Sequence, residues 1–292
     1  MFIATLIAED LLSAGVIDEA MDRLNAVRCS PEEWRWVENG KAADLVFLHH
    51  AGAARAALEG AFRNTDVVVQ SDKYREKRLL VADMDSTMIT VECIDELADY
   101  AGIKPQIAEV TERAMRGELD FASALDARVA LLAGLEARAI DRCLAERVHP
   151  MPGAVSLVRT MRARGATAVL VSGGFTRFAE PVGERLGFSR VVANRLVIDN
   201  GMLNGTVEKP IVDSATKCDT LTAVRDRLGL WPAEVLAVGD GANDLAMIRE
   251  AGLGVAYRAK PIVAAAAGVR IDHNDLTALL YAQGIPRSAW AA

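Results

Sequence analysis

The sequence predicts an α/β protein: a doubly wound, mostly parallel sheet carrying a helical insert, preceded by a small α+β unit. Three observations predict it. From Leu79 onward, short aliphatic runs ending in turn residues alternate with helical stretches. Residues 94–148 carry helical periodicity and no strand signal. Charge is also uneven, since residues 1–72 hold 12 acidic against 6 basic residues, or −6 of the formal net charge of −7.

The first 72 residues read as one module. An apolar run Phe2–Ile7 is followed by a helical pattern near Val16–Leu24, short strands near Trp34–Val37 and Leu45–His49, a helix near Ala51–Phe62 and a strand near Val67–Val69. That βαββαβ order is the ferredoxin-like arrangement. Trp34 and Trp36 are expected to pack its sheet. The charged stretch Ser71–Arg78 reads as a linker.

Beyond it, strands are expected at Leu79–Ala82, Thr167–Val171, Val191–Ala193, Val235–Val238 and Leu253–Ala256, giving a Rossmann-like parallel sheet. Asn200-Gly201 between apolar runs signals a two-residue hairpin. The helical insert between the first two sheet strands is placed to act as a lid.

Composition excludes several classes. At 51% hydrophobic and 25% charged residues, the 292-residue chain has the profile of a soluble globular protein. No apolar run approaches the ~18 residues of a membrane span, and Met1–Ala8 runs into Glu9-Asp10 without a secretory pattern. Four scattered cysteines form no C-x-x-C pair, so a reduced cytoplasm is expected. With no broad basic surface, nucleic acid is not an expected partner.

Chemistry gathers where strands end. Leu79–Ala82 runs into Asp83-Met84-Asp85-Ser86-Thr87, and alternation along an extended chain sends both carboxylates to one side. Val235–Val238 runs into Gly239-Asp240-Gly241-Ala242-Asn243-Asp244. Carboxylates converging from separate strands suit Mg²⁺, a hard oxygen-seeking cation, better than zinc, and the four histidines form no metal-spaced set. Thr167–Val171 ends in Ser172-Gly173-Gly174, a hydroxyl and backbone N–H groups fit to hold phosphoryl oxygens, and Lys217 adds a point positive charge. Any one of these segments alone would read as an ordinary turn or a solvated lysine.

In order, Asp83-x-Asp85-x-Thr87, Ser172-Gly173-Gly174, Lys217 and Gly239-Asp240-Gly241-x-Asn243-Asp244 resemble the motifs of the haloacid dehalogenase superfamily of phosphatases. Residues 79 to about 285 are further similar to its phosphoserine phosphatases through Val91-Glu92, Met115 to Phe121, Arg128-Val129, Ser172 to Thr176 and Ala193-Asn194. The resemblance implies a core of residues 73–93 and 149–292, a helical cap of 94–148 and an ACT-like domain of 1–72. It implies Asp83 as nucleophile, Asp85 as acid and base, and Mg²⁺ held by Asp83, the Asp85 backbone carbonyl and Asp240, with Asp244 behind them. Ser172, Gly173, Lys217 and Asn243 would hold the phosphoryl group of phosphoserine. Glu92 would take its ammonium, Arg128 its carboxylate, and Met115 and Phe121 would roof it. Dimer contacts or serine feedback are expected of the first module. Phosphate transfer to another hydroxyl such as homoserine, and a non-catalytic amino-acid regulator, stay open as alternatives.

Overall fold

The apolar run that opens the chain becomes β1 (Phe2–Ala8), the centre of a four-stranded antiparallel sheet. In the computed structural model, residues 1–116 and 118–291 are described, Met115 by its backbone alone. After β1 come α1 (Ala14–Ala26), capped by the Ser13 hydroxyl, then β2 (Pro31–Glu38), β3 (Ala42–Phe47), α2 (Ala51–Leu58) and β4 (Thr65–Ser71). The sheet order β2-β3-β1-β4 agrees with the expected βαββαβ unit. The second helix ends at Leu58 rather than near Phe62, shortly before Gly60 takes a left-handed φ of 72°.

Alternation gives this sheet two buried faces. Ala4, Leu6, Leu45, Phe47 and Val67 pack with Ile17, Leu24 and Leu58 of the helices. Ile7, Ala42 and Val68 point the other way, into the main core of the protein. On that second face the Asp44 carboxylate accepts from the Thr5 hydroxyl at 2.9 Å and from both terminal nitrogens of Arg75 at 2.6 Å. Asp66 accepts the backbone N–H groups of Asp272, His273 and Asn274, at 2.9, 3.2 and 2.9 Å.

Residues 71–78 are therefore not the loose linker that their charge suggests. Arg75 clips Asp44 and the Ala282 carbonyl, and the Lys77 ammonium is spent on the carbonyls of Tyr74 and Ala233. Burial and then the Arg75 charge lower the Lys77 pKa to about 8. Arg75 and Lys77 spend their charges on these hydrogen bonds, while Asp72, Lys73, Glu76 and Arg78 stay exposed. Asp66→Ala strips three backbone donors of their acceptor and is expected to cost about 3 kcal/mol, since each buried orphan costs about 1–3 kcal/mol. A urea titration measures that loss.

The parallel sheet has six strands: β5 (Leu79–Ala82), β6 (Thr167–Phe175), β7 (Arg190–Asn194), β10 (Val235–Gly239), β11 (Leu253–Tyr257) and β12 (Val269–Ile271), in the order β12-β11-β10-β5-β6-β7. Five were expected; β12 was not. Between β7 and β10 lies the hairpin of β8 (Leu196–Asp199) and β9 (Met202–Val207), with Asn200 and Gly201 both at positive φ, as its turn requires.

Helices α3 (Cys93–Tyr100), α4 (Lys104–Met115), α5 (Phe121–Ala130) and α6 (Arg138–Arg147) form the insert between β5 and β6. Its two connections run side by side, paired by an antiparallel bridge between Ile89 and Pro150. Its far side is held by the hairpin, where the N–H of Gly134 donates to the Leu203 carbonyl and that of Leu203 to the Leu135 carbonyl, both at 2.8 Å. α7 (Ala154–Ala163), α8 (Thr176–Leu186), α9 (Ser214–Arg227), α10 (Leu245–Glu250), α11 (Pro261–Ala266) and α12 (Ala278–Ala282) complete the fold. Among the described residues no helix is long and apolar enough to cross a membrane.

Candidate active site

β10, β5 and β6 lie side by side, and the chain leaves β5 through β6 to β7 before crossing back to β10. That reversal opens a crevice at the carboxyl ends of β5 and β10, where doubly wound sheets receive ligands.

Asp83 follows β5 directly. Its N–H donates to the Val238 carbonyl at 3.0 Å, and its buried carboxylate accepts from Lys217 Nζ at 2.7 Å. Lys217, fully buried on α9, donates also to Asp244 Oδ1 at 2.7 Å. The second Asp244 oxygen accepts the Gly241 N–H at 3.0 Å. Glycine is required at 239, because a Cβ there would sit 2.4 Å from the Asp244 carboxylate. Asp240 is aimed by the buried Thr87 hydroxyl, 2.9 Å from its Oδ1.

One oxygen each from Asp83, Asp240 and Asp244 lies within 4.8 Å of the others. When ionised, the three carboxylates carry three negative charges against the single ammonium of Lys217, which bonds Asp83 and Asp244. Burial, then the Asp244 charge, pushes the Asp83 carboxyl well above the usual range, with Lys217 opposing. Burial raises Asp240 as well, with Thr87 opposing. Burial alone would lower the Lys217 pKa, but Asp83 and Asp244 outweigh it and hold the ammonium above its ordinary value. An all-oxygen donor set with two excess negative charges fits a hard divalent cation.

The Asp85 carboxylate turns away from this cluster. Its Oδ1 accepts the Cys93 N–H at 2.7 Å and its Oδ2 the Ser172 hydroxyl at 3.1 Å, so it ties α3, the first helix of the insert, to β6. Burial raises its pKa, and these same donors oppose the rise. Ser172, fully buried, accepts the Gly174 N–H at 2.8 Å. A Cβ on Gly174 would meet Asp85 Oδ2 and Ser172 Oγ at 3.0 Å, and one on Gly173 would meet the Phe121 ring at 3.1 Å. Phe121 thus reaches from the start of α5 onto the hydroxyl loop. The Met115 side chain lies outside the described residues.

Glu92 sits at the N-terminus of α3 and accepts the Ser86 hydroxyl at 2.6 Å. Solvent reaches it, yet desolvation in the cleft and then the Asp85 charge push its carboxyl up to about 7. Arg128, on α5, donates Nε–H to the Ala124 carbonyl at 3.2 Å and makes no ion pair among the described residues. Desolvation lowers its pKa, opposed by the charges of Asp95, Glu92 and Asp85. Asn243 lies half-buried on the turn Ala242–Asp244. Sequence reasoning quoted Ser86, Thr87 and Asn194 within motifs but gave them no role. A hydroxyl one or two residues past an acidic pair was the available signal for the first two.

A family model described as haloacid dehalogenase-like hydrolase matches residues 80–249, a span that contains the three clustered carboxylates, Lys217 and the Ser172 loop. The chain belongs to the haloacid dehalogenase-like hydrolases. Among relatives of this hydrolase, a phosphoserine phosphatase of Streptomyces coelicolor is 45% identical over 233 residues, covering 79% of this chain and 57% of that one. The chain thus spans little more than half of that relative's length. A probable phosphoserine phosphatase of Vibrio cholerae, solved unliganded, superposes with a TM-score of 0.75 at 33% identity, covering 97% of this chain and 88% of that one. A solved phospho-aspartyl intermediate analogue of a phosphoserine phosphatase matches with a TM-score of 0.65 at 35% identity, covering 70% of this chain and 98% of that one.

Proposed function

We propose that this hydrolase is a Mg²⁺-dependent phosphoserine phosphatase of serine biosynthesis, working in the cytoplasm. The observation that carries the reading is the cluster of Asp83, Asp240 and Asp244, two of them locked to Lys217, beside the Ser172 loop and under a cap that presents Glu92 and an Arg128 without an ion pair among the described residues. Residues 73–93 and 149–292 would be the catalytic core, 94–148 the cap and 1–72 a regulatory or dimer-forming module.

The residues divide the work by position. Asp83 attacks phosphorus, so that an Asp83 oxygen–phosphorus bond forms as the phosphorus–oxygen bond to serine breaks. Asp85 gives its proton to the leaving serine oxygen, then takes one from the water that opens the aspartyl phosphate. Its raised pKa suits a carboxyl that must hold a proton first. Ser172, Gly173 and Lys217 fix the phosphoryl oxygens, with Asn243 assisting, while Asp244 steadies the lysine. Mg²⁺, held by Asp83, Asp240 and the Asp85 carbonyl, would neutralise phosphoryl charge. Arg128, with no acid partner among the described residues, suits the substrate carboxylate, and Glu92 suits its ammonium.

Phosphate release from a panel of phosphomonoesters tests this, with kcat/KM expected to be highest for phosphoserine. Equal turnover of sugar phosphates would sink it. Because an ammonium is attracted only to ionised Glu92, KM for phosphoserine should rise as pH falls through about 7, while KM for p-nitrophenyl phosphate does not. Glu92→Gln should raise KM for phosphoserine roughly 10–100-fold, the value of a charge-assisted hydrogen bond, and remove that pH dependence.

A further inference from the structure

We infer that Asn194 is a positioning residue, whose amide fixes the hydroxyl loop against the helix that carries Lys217. This rests on the proposed function only in taking Ser172, Gly173 and Lys217 as the groups that hold phosphate. β6 and β7 pair in register to Val171 and Val192, and the pairing resumes only at Phe175 and Asn194. Three residues, Ser172, Gly173 and Gly174, therefore face one, Ala193, and bulge out of the ladder. Two of the three are glycines, the residues least able to hold a shape alone.

The Asn194 side chain supplies the bonds the ladder lacks. It is 2% exposed; its Nδ2 donates to the Gly173 carbonyl at 2.8 Å and its Oδ1 accepts the Val212 N–H at 2.7 Å. A peptide unit is planar, so anchoring the Gly173 carbonyl turns the Gly174 N–H the opposite way, toward Ser172 Oγ at 2.8 Å. That hydroxyl is the one donating to Asp85. On its other side, Val212 precedes Asp213, whose carboxylate caps α9 through the Thr216 N–H at 2.8 Å and whose carbonyl accepts the Lys217 N–H at 3.0 Å. One primary amide thus spans the hydroxyl loop and the lysine helix, and only a group with a donor and an acceptor at this reach does both.

Asn194→Asp keeps the acceptor for Val212 and loses the donor to Gly173, whereas Asn194→Ala loses both. With kcat normalised to folded protein, both variants should lose about tenfold or more in kcat, as expected for displaced phosphoryl donors, with KM changed far less. The loss should be equal on phosphoserine and p-nitrophenyl phosphate, because the serine moiety is not involved. The activity of Asn194→Asp relative to the native enzyme should recover as pH is lowered and its carboxyl regains a proton to donate, while Asn194→Ala shows no recovery. Native kcat in the folded fraction of either variant, or a relative activity of Asn194→Asp that ignores pH, would overturn the inference. A native enzyme idle on phosphoserine but active on p-nitrophenyl phosphate would sink the substrate assignment and leave this test intact.

Discussion

Asp83→Asn should abolish phosphate release, by at least about 10⁴-fold, because it removes the group that forms the covalent bond to phosphorus. The same change should make the metal-free protein more stable at neutral pH. Asp83 has a raised pKa in the folded state, so its ionised form weighs against folding at every pH above its unfolded value. An uncharged amide relieves that strain, and Lys217 keeps Asp244 as its partner. A merely structural carboxylate would give the reverse pairing, with activity kept and stability lost. Phosphate release and a urea titration in chelator, on the same preparation, separate the two.

Lys217→Met should fail in both respects. It leaves Asp83 and Asp244 buried without a cation, which typically costs about 3–5 kcal/mol. The stability deficit should widen as pH rises, since Asp83, whose pKa burial already raises, must ionise in a site that has lost its positive charge. At low pH, where Asp83 is protonated, the deficit should shrink. Catalysis should fall roughly 10²–10³-fold or more, the loss that follows removal of one donor to a developing oxyanion. Tm followed across pH, together with kcat, checks both statements.

Where the chain could be read in advance, the reason was local chemistry. β5 was legible to its ends, because four aliphatic residues run into an acidic pair with no ambiguity of face. Asn200-Gly201 announced its hairpin because few other dipeptides accept two successive positive φ angles. Asp83 and Asp240 stood out because each follows a strand, Lys217 lies in the first turn of its helix, and Ser172 is marked by the two glycines after it inside β6; the sheet order then brings their elements together.

The misses share a cause of the opposite kind. β12 is three residues with Arg270 at its centre, too short to show a period, and it exists because β11 offers it an edge. Residues 71–78 look solvated, but Asp44 lies 31 positions before Arg75 and Ala233 lies 156 after Lys77, and no local pattern reports such partners. The turn of the Asp85 carboxylate toward Cys93 and Ser172 was likewise hidden, since those partners lie 8 and 87 residues away.

Acid trapping reads directly which atom captures the phosphoryl group. The enzyme is quenched in acid while turning over phosphoserine, digested, and its peptides are weighed for an added phosphoryl group. That mass is predicted on the peptide holding Asp83, at that residue, and absent in Asp83→Asn. Full phosphate release with no modified Asp83, or with the phosphoryl group on Ser172, would rule out Asp83 as the nucleophile.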